Sequence, residues 1–401
     1  MYGSALRFPR HQLRRVTHCR QSWALTRGFS VLGIETSADD TCAAILTSER
    51  KILSNVVRSQ HSYHEAYRGI HPYAAIEAHQ RHLPDVVRQA LQDADMSVND
   101  IDGIAFTRGP GLAGCLSVGS NAAKTLAAAL NKPLVGVHHM QAHALTVFLT
   151  SPPEEAPEFP FLSLLVSGGH SLLLVAFSPT NFRILATTLD QSIGTAFDHV
   201  SKMLDIPWIA AGPGASLEQF AKTAVDEAGS DDIPFDDIFV TPMKNRLAFS
   251  FSATESQTTT FIAKKGGLQN IDTKTRVLLA RAFQRGAARQ LEHKLTMALK
   301  RCRKDGVNIR HLVVSGGVAS NSVIRERLRA CLDAASPDEH IALVCPPPKF
   351  CTDNAAMIAW ASMDRFLSGD TDDYSVELIS KWPLEEFGTS LTSRIATESP
   401  S

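Results

Sequence analysis

One arrangement of apolar segments, met twice, restricts this chain more than any single motif does. Residues 31–37, 41–48 and 51–57 are three short strand-like runs, with Ala38-Asp39-Asp40 as the first turn. Strands and helices then alternate. Helical periodicity runs over 74–94 with an interruption expected at Pro84, followed by a strand at 101–107, a Gly- and Ala-rich helix at 112–130 and a strand at 133–137. The stretch Pro152-Pro153-Glu-Glu-Ala-Pro157 reads as a linker, and after it the pattern restarts. Residues 161–167, 171–177 and 182–188 form the second triplet of strands. Helices follow at 195–204 and 215–228, loop-like stretches at 231–237 and 264–270, and one long helix at 272–304. A strand at 311–315, a helix at 322–335, a strand at 341–344 and a helix at 353–366 complete the series.

Three antiparallel strands extended by parallel strand–helix units make a five-stranded mixed sheet. Two such halves side by side predict an α/β protein with two duplicated actin-like (ribonuclease-H-like) lobes. Each lobe is a mixed five-stranded sheet flanked by helices, with a ligand cleft between them. The expected division is a first lobe at 31–150, a second at 151–367 and a tail at 368–401, whose last twenty or so residues read as disordered. Fold alone does not fix chemistry.

Charge is distributed unevenly. Residues 1–30 hold six Arg (Arg7, Arg10, Arg14, Arg15, Arg20, Arg27) and no acid; the first acid is Glu35. Such a leader reads as a mitochondrial transit peptide, cleaved near 29–31, with a basic nucleic-acid-binding tail as the alternative. Without those six the chain has 34 basic and 41 acidic residues, a balance of about −7. That excludes broad, nonspecific affinity for nucleic acid. The seven Cys (19, 42, 115, 302, 331, 345, 351) form no CxxC pair, which fits reduced thiols in a matrix-like compartment. No apolar run reaches 18 residues, so no membrane span is expected.

Three features carry chemistry. First, His139 and His143 follow the strand at 133–137 at i, i+4 spacing on a helix start. That spacing stacks both imidazoles on one face, where they can grip a divalent transition metal. Second, small polar turns end three strands: Gly33-Ile-Glu-Thr-Ser37-Ala-Asp39-Asp40, Ser167-Gly168-Gly169-His170 and Ser315-Gly316-Gly317. Glycine there allows close backbone approach, and successive N–H groups can cradle an anion. A fourth candidate is Arg108-Gly109-Pro110-Gly111. No GxxxxGK[ST] loop is present, and a nucleotide phosphate in an actin-like cleft is the expected anion. Third, Asp353 starts the helix after three prolines. It reads either as an N-cap or as a third ligand completing a two-His, one-carboxylate set suited to Zn or Fe(II).

Seven runs occur in fixed order: Gly33-Ile-Glu-Thr-Ser-Ala-Asp-Asp-Thr41, Arg108-Gly-Pro-Gly-Leu112, His138-His-Met-Gln-Ala-His143, Leu165-Val-Ser-Gly-Gly-His170, Ala196-Phe-Asp198, Ser315-Gly-Gly-Val-Ala-Ser-Asn321 and Cys351-Thr-Asp-Asn-Ala-Ala-Met357. Together they resemble the tRNA threonylcarbamoyladenosine transferases, in particular their mitochondrial, stand-alone branch. The resemblance spans residues 31–366. It implies transfer of a threonylcarbamoyl group from threonylcarbamoyl-adenylate, made by a separate synthase, to N6 of the adenosine 3′ of the anticodon in tRNAs reading ANN codons. It implies one metal per subunit on His139, His143 and Asp353, and a homodimer. Substrate contacts carry over to Val166, Ser167, Gly168, Gly169, His170, Asp198, Gly212 and Asn321. The chain departs from the family pattern at Ala38, where a Cys is usual, at Gln141 and Ala142, and around Gly212, where the register shifts.

The expected chemistry needs little covalent help, because an acyl-adenylate is already activated. The metal is expected to polarise a substrate oxygen. Catalytic candidates are Asp198, Glu35 and Asp39, with His138 and His170 as proton carriers. Lys244, Arg246, Lys264, Lys265 and Arg276 are candidates for tRNA contact. A metallopeptidase is excluded because Met140 follows the first His of the pair where H-E-x-x-H needs its Glu. An actin-like sugar kinase or ATPase, and a noncatalytic scaffold that binds nucleotide or tRNA, stay open.

Overall fold

Two sheets of the same topology organise the chain in a computed structural model that describes residues 28–64, 70–209, 212–225, 238–337 and 339–387. The first sheet contains β1 (Ser30–Glu35), β2 (Asp40–Thr47), β3 (Ile52–Ser59), β4 (Gly103–Gly109) and β5 (Leu134–His138), in the order β3-β2-β1-β4-β5. The second contains β6 (Phe161–Val166), β7 (Ser171–Ser178), β8 (Asn181–Thr187), β9 (His311–Ser315) and β10 (Ala342–Val344), in the order β10-β9-β6-β7-β8. In each, the first three strands pair antiparallel and the last two join in parallel. This is the duplicated two-lobed α/β fold expected from the repeated pattern. The leader lies outside the described residues, apart from its last three positions, as does the predicted loop at 231–237.

The helices are α1 (Pro72–Asp93), α2 (Ala113–Leu130), α3 (His139–Thr150), α4 (Ile193–Met203), α5 (Pro213–Ala221), α6 (Phe251–Lys264), α7 (Thr273–Lys304), α8 (Ser322–Ala335), α9 (Ala355–Ala361) and α10 (Met363–Ser368). Several differ from expectation. Pro84 does not interrupt α1, because Ala75, His79, His82, Leu83, Val86 and Ala90 form one buried stripe on both sides of it. Helix α5 ends at Ala221 instead of 228, because the Arg281 guanidinium takes the Ala221 and Thr223 carbonyls at 2.8 and 2.9 Å. Helix α6 was not expected, since its sequence is rich in Ser and Thr. It forms because Asp190 accepts the first N–H groups, Phe251 at 3.0 Å and Ser252 at 3.3 Å, while Phe251, Thr254, Thr258 and Phe261 are buried.

The first sheet buries both faces. Leu32, Ile34, Ile45 and Phe106 face α1 and α2, whereas Val31, Ala44 and Val135 face α3, α9 and α10. This alternation along β1 is the period of two that a strand imposes. Gly33 permits the approach of α9: a Cβ there would lie 2.4 Å from the Ala355 carbonyl oxygen. Residues 353–366, expected in the second lobe, therefore return to the first sheet and divide into α9 and α10 at Ser362. Helix α3 is enclosed by both lobes. Ala142 and Leu145 pack on the first sheet; Met140, Ala144 and Val147 pack against Phe161, Leu165 and Leu174 of the second. The last twenty or so residues were expected to be disordered, yet Trp382, Leu384 and Phe387 are buried in this same layer between the lobes. Among the described residues the cysteines are free, and no helix is long and apolar enough to cross a membrane.

Candidate metal centre and substrate loops

Strand β5 delivers the chain to α3, so both imidazoles stand at the first turn of a buried helix. His139 and His143 are almost fully buried, with rings 4.7 Å apart and nearly perpendicular. Their Nε2 atoms converge on one oxygen of Asp353, at 3.5 Å for His139 and 3.0 Å for His143. Asp353 is free to point here because the neighbouring Asn354 caps α9, accepting the Met357 N–H at 3.0 Å. That removes the alternative reading of Asp353 as a helix cap.

The three residues fit a divalent metal. Their ligand atoms lie within 4.8 Å of one another, and two ring nitrogens with one carboxylate form a borderline-soft donor set. Glu35 supports the set from behind. Its Oε2 lies 3.0 Å from His139 Nδ1 and also accepts from Thr107, while its Oε1 accepts the Ser37 N–H. A carboxylate on Nδ1 fixes the proton there and aims the Nε2 lone pair at the cluster. Electrostatics agree. Burial would raise the Asp353 carboxyl, but His139 and His143 hold it far below the usual range. Burial likewise opposes ionisation of Glu35, and His139 outweighs it and lowers its pKa. Burial disfavours charge on His139, yet Asp353 and Glu35 lift it to about 9. The two carboxylates thus demand one positive charge at the position a cation would take.

Glu35 was expected as a catalytic group; it is wholly buried behind His139, because it is the last residue of β1 and its oxygens are taken up by His139, Thr107 and Ser37. Asp39 lies half-buried in the turn before β2. Asp40, which sequence reasoning passed over, starts β2 with its Oδ1 lacking a hydrogen-bond partner. Burial, then Asp39 and Asp353, push its carboxyl up to about 8. Thr107, near the end of β4, and Ser37, in the turn after β1, were also missed; a polar residue ending an apolar run was the only signal. His138 is buried and contributes no free proton-transfer group: both ring nitrogens have partners.

The second lobe brings glycine loops up to this centre. The His170 ring is 5.9 Å from that of His139, and burial followed by His139 lowers its pKa to about 4. Gly168 and Gly169 are exposed, with open space where side chains would be. The expected cradle is internally bonded here, as Ser167 Oγ accepts the N–H groups of Gly169 and His170 at 3.3 and 3.1 Å. Gly316, at φ +99°, approaches so near that a Cβ would lie 2.2 Å from the Val166 carbonyl oxygen. Gly317 lies beside Thr352. Asp198 accepts the Gly214 N–H at 2.9 Å, and Gly212, at φ +94°, precedes that residue at the start of α5. Asn321 is buried and caps α8 through Ile324 N–H at 3.2 Å. Of the cations expected to meet tRNA, Lys244, Arg246, Lys264 and Lys265 are exposed, whereas Arg276 is tied to the Ile271 and Leu268 carbonyls.

Fold and site together define a two-lobed actin-like protein whose cleft opposes a candidate metal triad to glycine-rich loops. The family model for TsaD, tRNA N6-adenosine threonylcarbamoyltransferase, matches residues 51–360. The chain is 38% identical over 375 residues to a probable mitochondrial tRNA N6-adenosine threonylcarbamoyltransferase of Arabidopsis thaliana, covering 89% of this chain and 75% of that one. It is 36% identical over 406 residues to the mitochondrial enzyme of that name from Schizosaccharomyces pombe, covering 97% and 96%. Among solved structures, full-length HypF in its phosphate- and nucleotide-bound form shares the fold at TM-score 0.51 and 12% identity, over 86% of this chain and 56% of that one. The chain belongs to the tRNA N6-adenosine threonylcarbamoyltransferase family, and it is a transferase.

Proposed function

We propose that the protein moves the threonylcarbamoyl group of threonylcarbamoyl-adenylate to N6 of the adenosine 3′ of the anticodon in mitochondrial tRNAs that read ANN codons. A new N–C bond forms at the carbamoyl carbon, its bond to the adenylate phosphate oxygen breaks, and AMP leaves with that electron pair. The amine gives up one proton, which passes to solvent as AMP leaves. The observation that carries this reading is the approach of the Ser167–His170 loop to the His139–His143–Asp353 cluster across the cleft. The transfer needs a held carbonyl, a developing negative charge met by donors, and an oriented amine.

His139, His143 and Asp353 would hold a Zn or Fe(II) ion, which supplies Lewis-acid polarisation of a substrate oxygen when bound. The chain's own groups do the rest. Gly168 and Gly169 leave room for the adenylate, and rotation of the Ser167 hydroxyl releases the Gly169 and His170 N–H groups to its oxygens. Asp198, half-buried beside Gly212 and Gly214, is placed to accept hydrogen bonds from a ribose or threonine hydroxyl. Asp39 orients the incoming amine at the first-lobe rim, and Val166 and Asn321, both buried, act by holding the glycine loops in place. Exposed Lys244, Arg246, Lys264 and Lys265 give tRNA binding that weakens with salt. The acid-free, Arg-rich leader and the names of the two relatives support a mitochondrial matrix enzyme. It works as a homodimer supplied by a separate synthase.

The test is a transfer assay on residues 31–401 with threonine, bicarbonate, ATP, the companion synthase and unmodified ANN-decoding mitochondrial tRNA. Nucleoside mass spectrometry should find threonylcarbamoyladenosine with the natural chain and none with His139→Ala. Product from both removes His139 from its role. No product from either, where a homologue works, overturns the reading.

A further inference from the structure

The chain beyond α10 runs back over the first lobe as a strap. Asp372 pairs with the Arg365 guanidinium at 3.1 Å, accepts the Gly136 N–H at 2.8 Å, and bonds through its own N–H to the Leu134 carbonyl at 2.8 Å. Ile379 N–H donates to the Arg108 carbonyl at 2.9 Å, and Gly111 N–H to the Ser380 carbonyl at 3.1 Å. Gly109 makes room for this crossing: a Cβ there would overlap the Ile379 carbonyl oxygen at 1.8 Å. The strap next buries Trp382, with the Arg108 guanidinium 5.3 Å above its ring. It then reaches the second lobe, where Glu385 accepts the Ile184 N–H at 2.8 Å.

Its end meets the start of the metal helix at one side chain. The His138 ring stands 4.7 Å from the Trp382 ring, and its Nε2–H donates to the Trp382 carbonyl at 3.0 Å. That bond places the proton on Nε2 and leaves Nδ1 as an acceptor. Nδ1 in turn accepts the first N–H groups of α3, from Met140 at 3.2 Å and Gln141 at 3.4 Å. His138 is therefore the N-cap of α3, in a place that Ser, Thr, Asp or Asn usually fills without help. An imidazole caps a helix in only one of its two neutral tautomers, and here a carbonyl supplied from residue 382 selects it.

We propose that the C-terminal strap, residues 370–387, positions the metal helix through the Trp382 carbonyl and the His138 cap, and so sets the spacing of His139 and His143 to Asp353. It rests on the reading of those three residues as a metal site, so the test carries two readouts on the full chain. Cobalt(II) is titrated with its visible absorption as signal, and amide hydrogen exchange of residues 139–150 is followed in the metal-free protein. His138→Ala should weaken cobalt binding by about 10–100-fold, the range for losing a group that orients a ligand. It should also speed exchange at Met140 and Gln141. His138→Asn keeps an acceptor for the helix where Nδ1 stands, one that needs no carbonyl to select a tautomer, and should recover most of both. Natural cobalt binding and exchange in His138→Ala overturns the proposal, and so does His138→Asn behaving as badly as His138→Ala. If the natural chain takes up no cobalt, the metal reading fails, and the exchange readout alone decides whether the strap holds the helix. Should His138→Ala not fold, Trp382→Ala is read in its place, because the buried ring is the anchor that holds the residue 382 carbonyl against His138: loss in the same direction supports the strap, and natural values in both readouts sink it.

Discussion

The strand ends of the two sheets have the same topology and opposite chemistry. In the first lobe they carry buried, charged and mutually bonded groups: Glu35 on His139, and Asp353 reaching in from the loop before α9. In the second they carry almost no side chains: Gly168 and Gly169 open to solvent, and Gly316 is pressed against β6. A buried carboxylate–imidazole cluster tolerates little displacement, since each member is the partner that makes the others affordable in a dry interior. A glycine loop holds little by itself but excludes nothing. On the proposed reading, the duplicated fold separates two demands that conflict at one site: a rigid grip on a small cation and access for a large substrate.

Mutations should reveal that separation as different failures. The largest effect is expected for Asp353→Asn, which removes the shared anionic oxygen between two buried imidazoles. Metal affinity, read by cobalt titration, should fall by more than about 100-fold. Glu35→Gln keeps the shape but loses the charge behind His139, and should cost about 10–100-fold in metal affinity with tRNA binding unchanged. A loss of tRNA binding in Glu35→Gln would break the proposed separation of the lobes.

The second lobe gives a paired contrast. Gly316→Ala puts a Cβ 2.2 Å from the Val166 carbonyl at a positive φ, and should destabilise by at least about 1–3 kcal/mol from backbone strain, seen as a lowered melting temperature. Gly168→Ala meets nothing, so stability should stay within about 0.5 kcal/mol while the KM for the adenylate rises. Equal melting losses in both would show that the open loop is in fact packed.

The smallest effect concerns pH. His79 is wholly buried; its Nε2–H donates to the Ala38 carbonyl at 3.1 Å, and Nδ1 accepts from Thr41 at 2.8 Å. Burial lowers its pKa. The unfolded chain then binds a proton near pH 6.5 that the folded chain refuses, so stability is present above that pH and lost as pH falls below it. His170, at about 4, acts in the same direction. Melting temperature measured from pH 7 to pH 5 should decline less steeply in His79→Gln than in the natural chain. Identical slopes would remove His79 from the acid response.

What the sequence displayed was whatever depends on near neighbours. Both strand triplets, the i, i+4 histidines and the order of the glycine turns follow from local period and composition. What it hid depends on partners far along the chain. Helix α6 is capped by Asp190, some sixty residues earlier, and its own Thr-rich sequence argues against it. The strap at 370–387 has no periodicity, because its main holds, at Asp372, Ile379 and Glu385, go to three separate parts of the chain. Glu35 looked like a group for substrate because its motif lies at a strand end. Only the position of α3 reveals that a histidine stands between.

The return of α9 to the first sheet has a consequence for how such a protein comes into being. Residue 353 and the segment that closes the first core are made near the end of synthesis, although the strand they cover begins at residue 30. A nascent chain, or one being threaded through a translocation channel amino end first, exposes the apolar face of β1 and β2 until more than three hundred further residues have followed. Closing contacts across so long an interval is slow, and it keeps that face open to chaperones. The candidate metal triad is thus completed only once residue 353 has arrived. A product truncated before that residue would lack one of the three groups proposed to hold the ion.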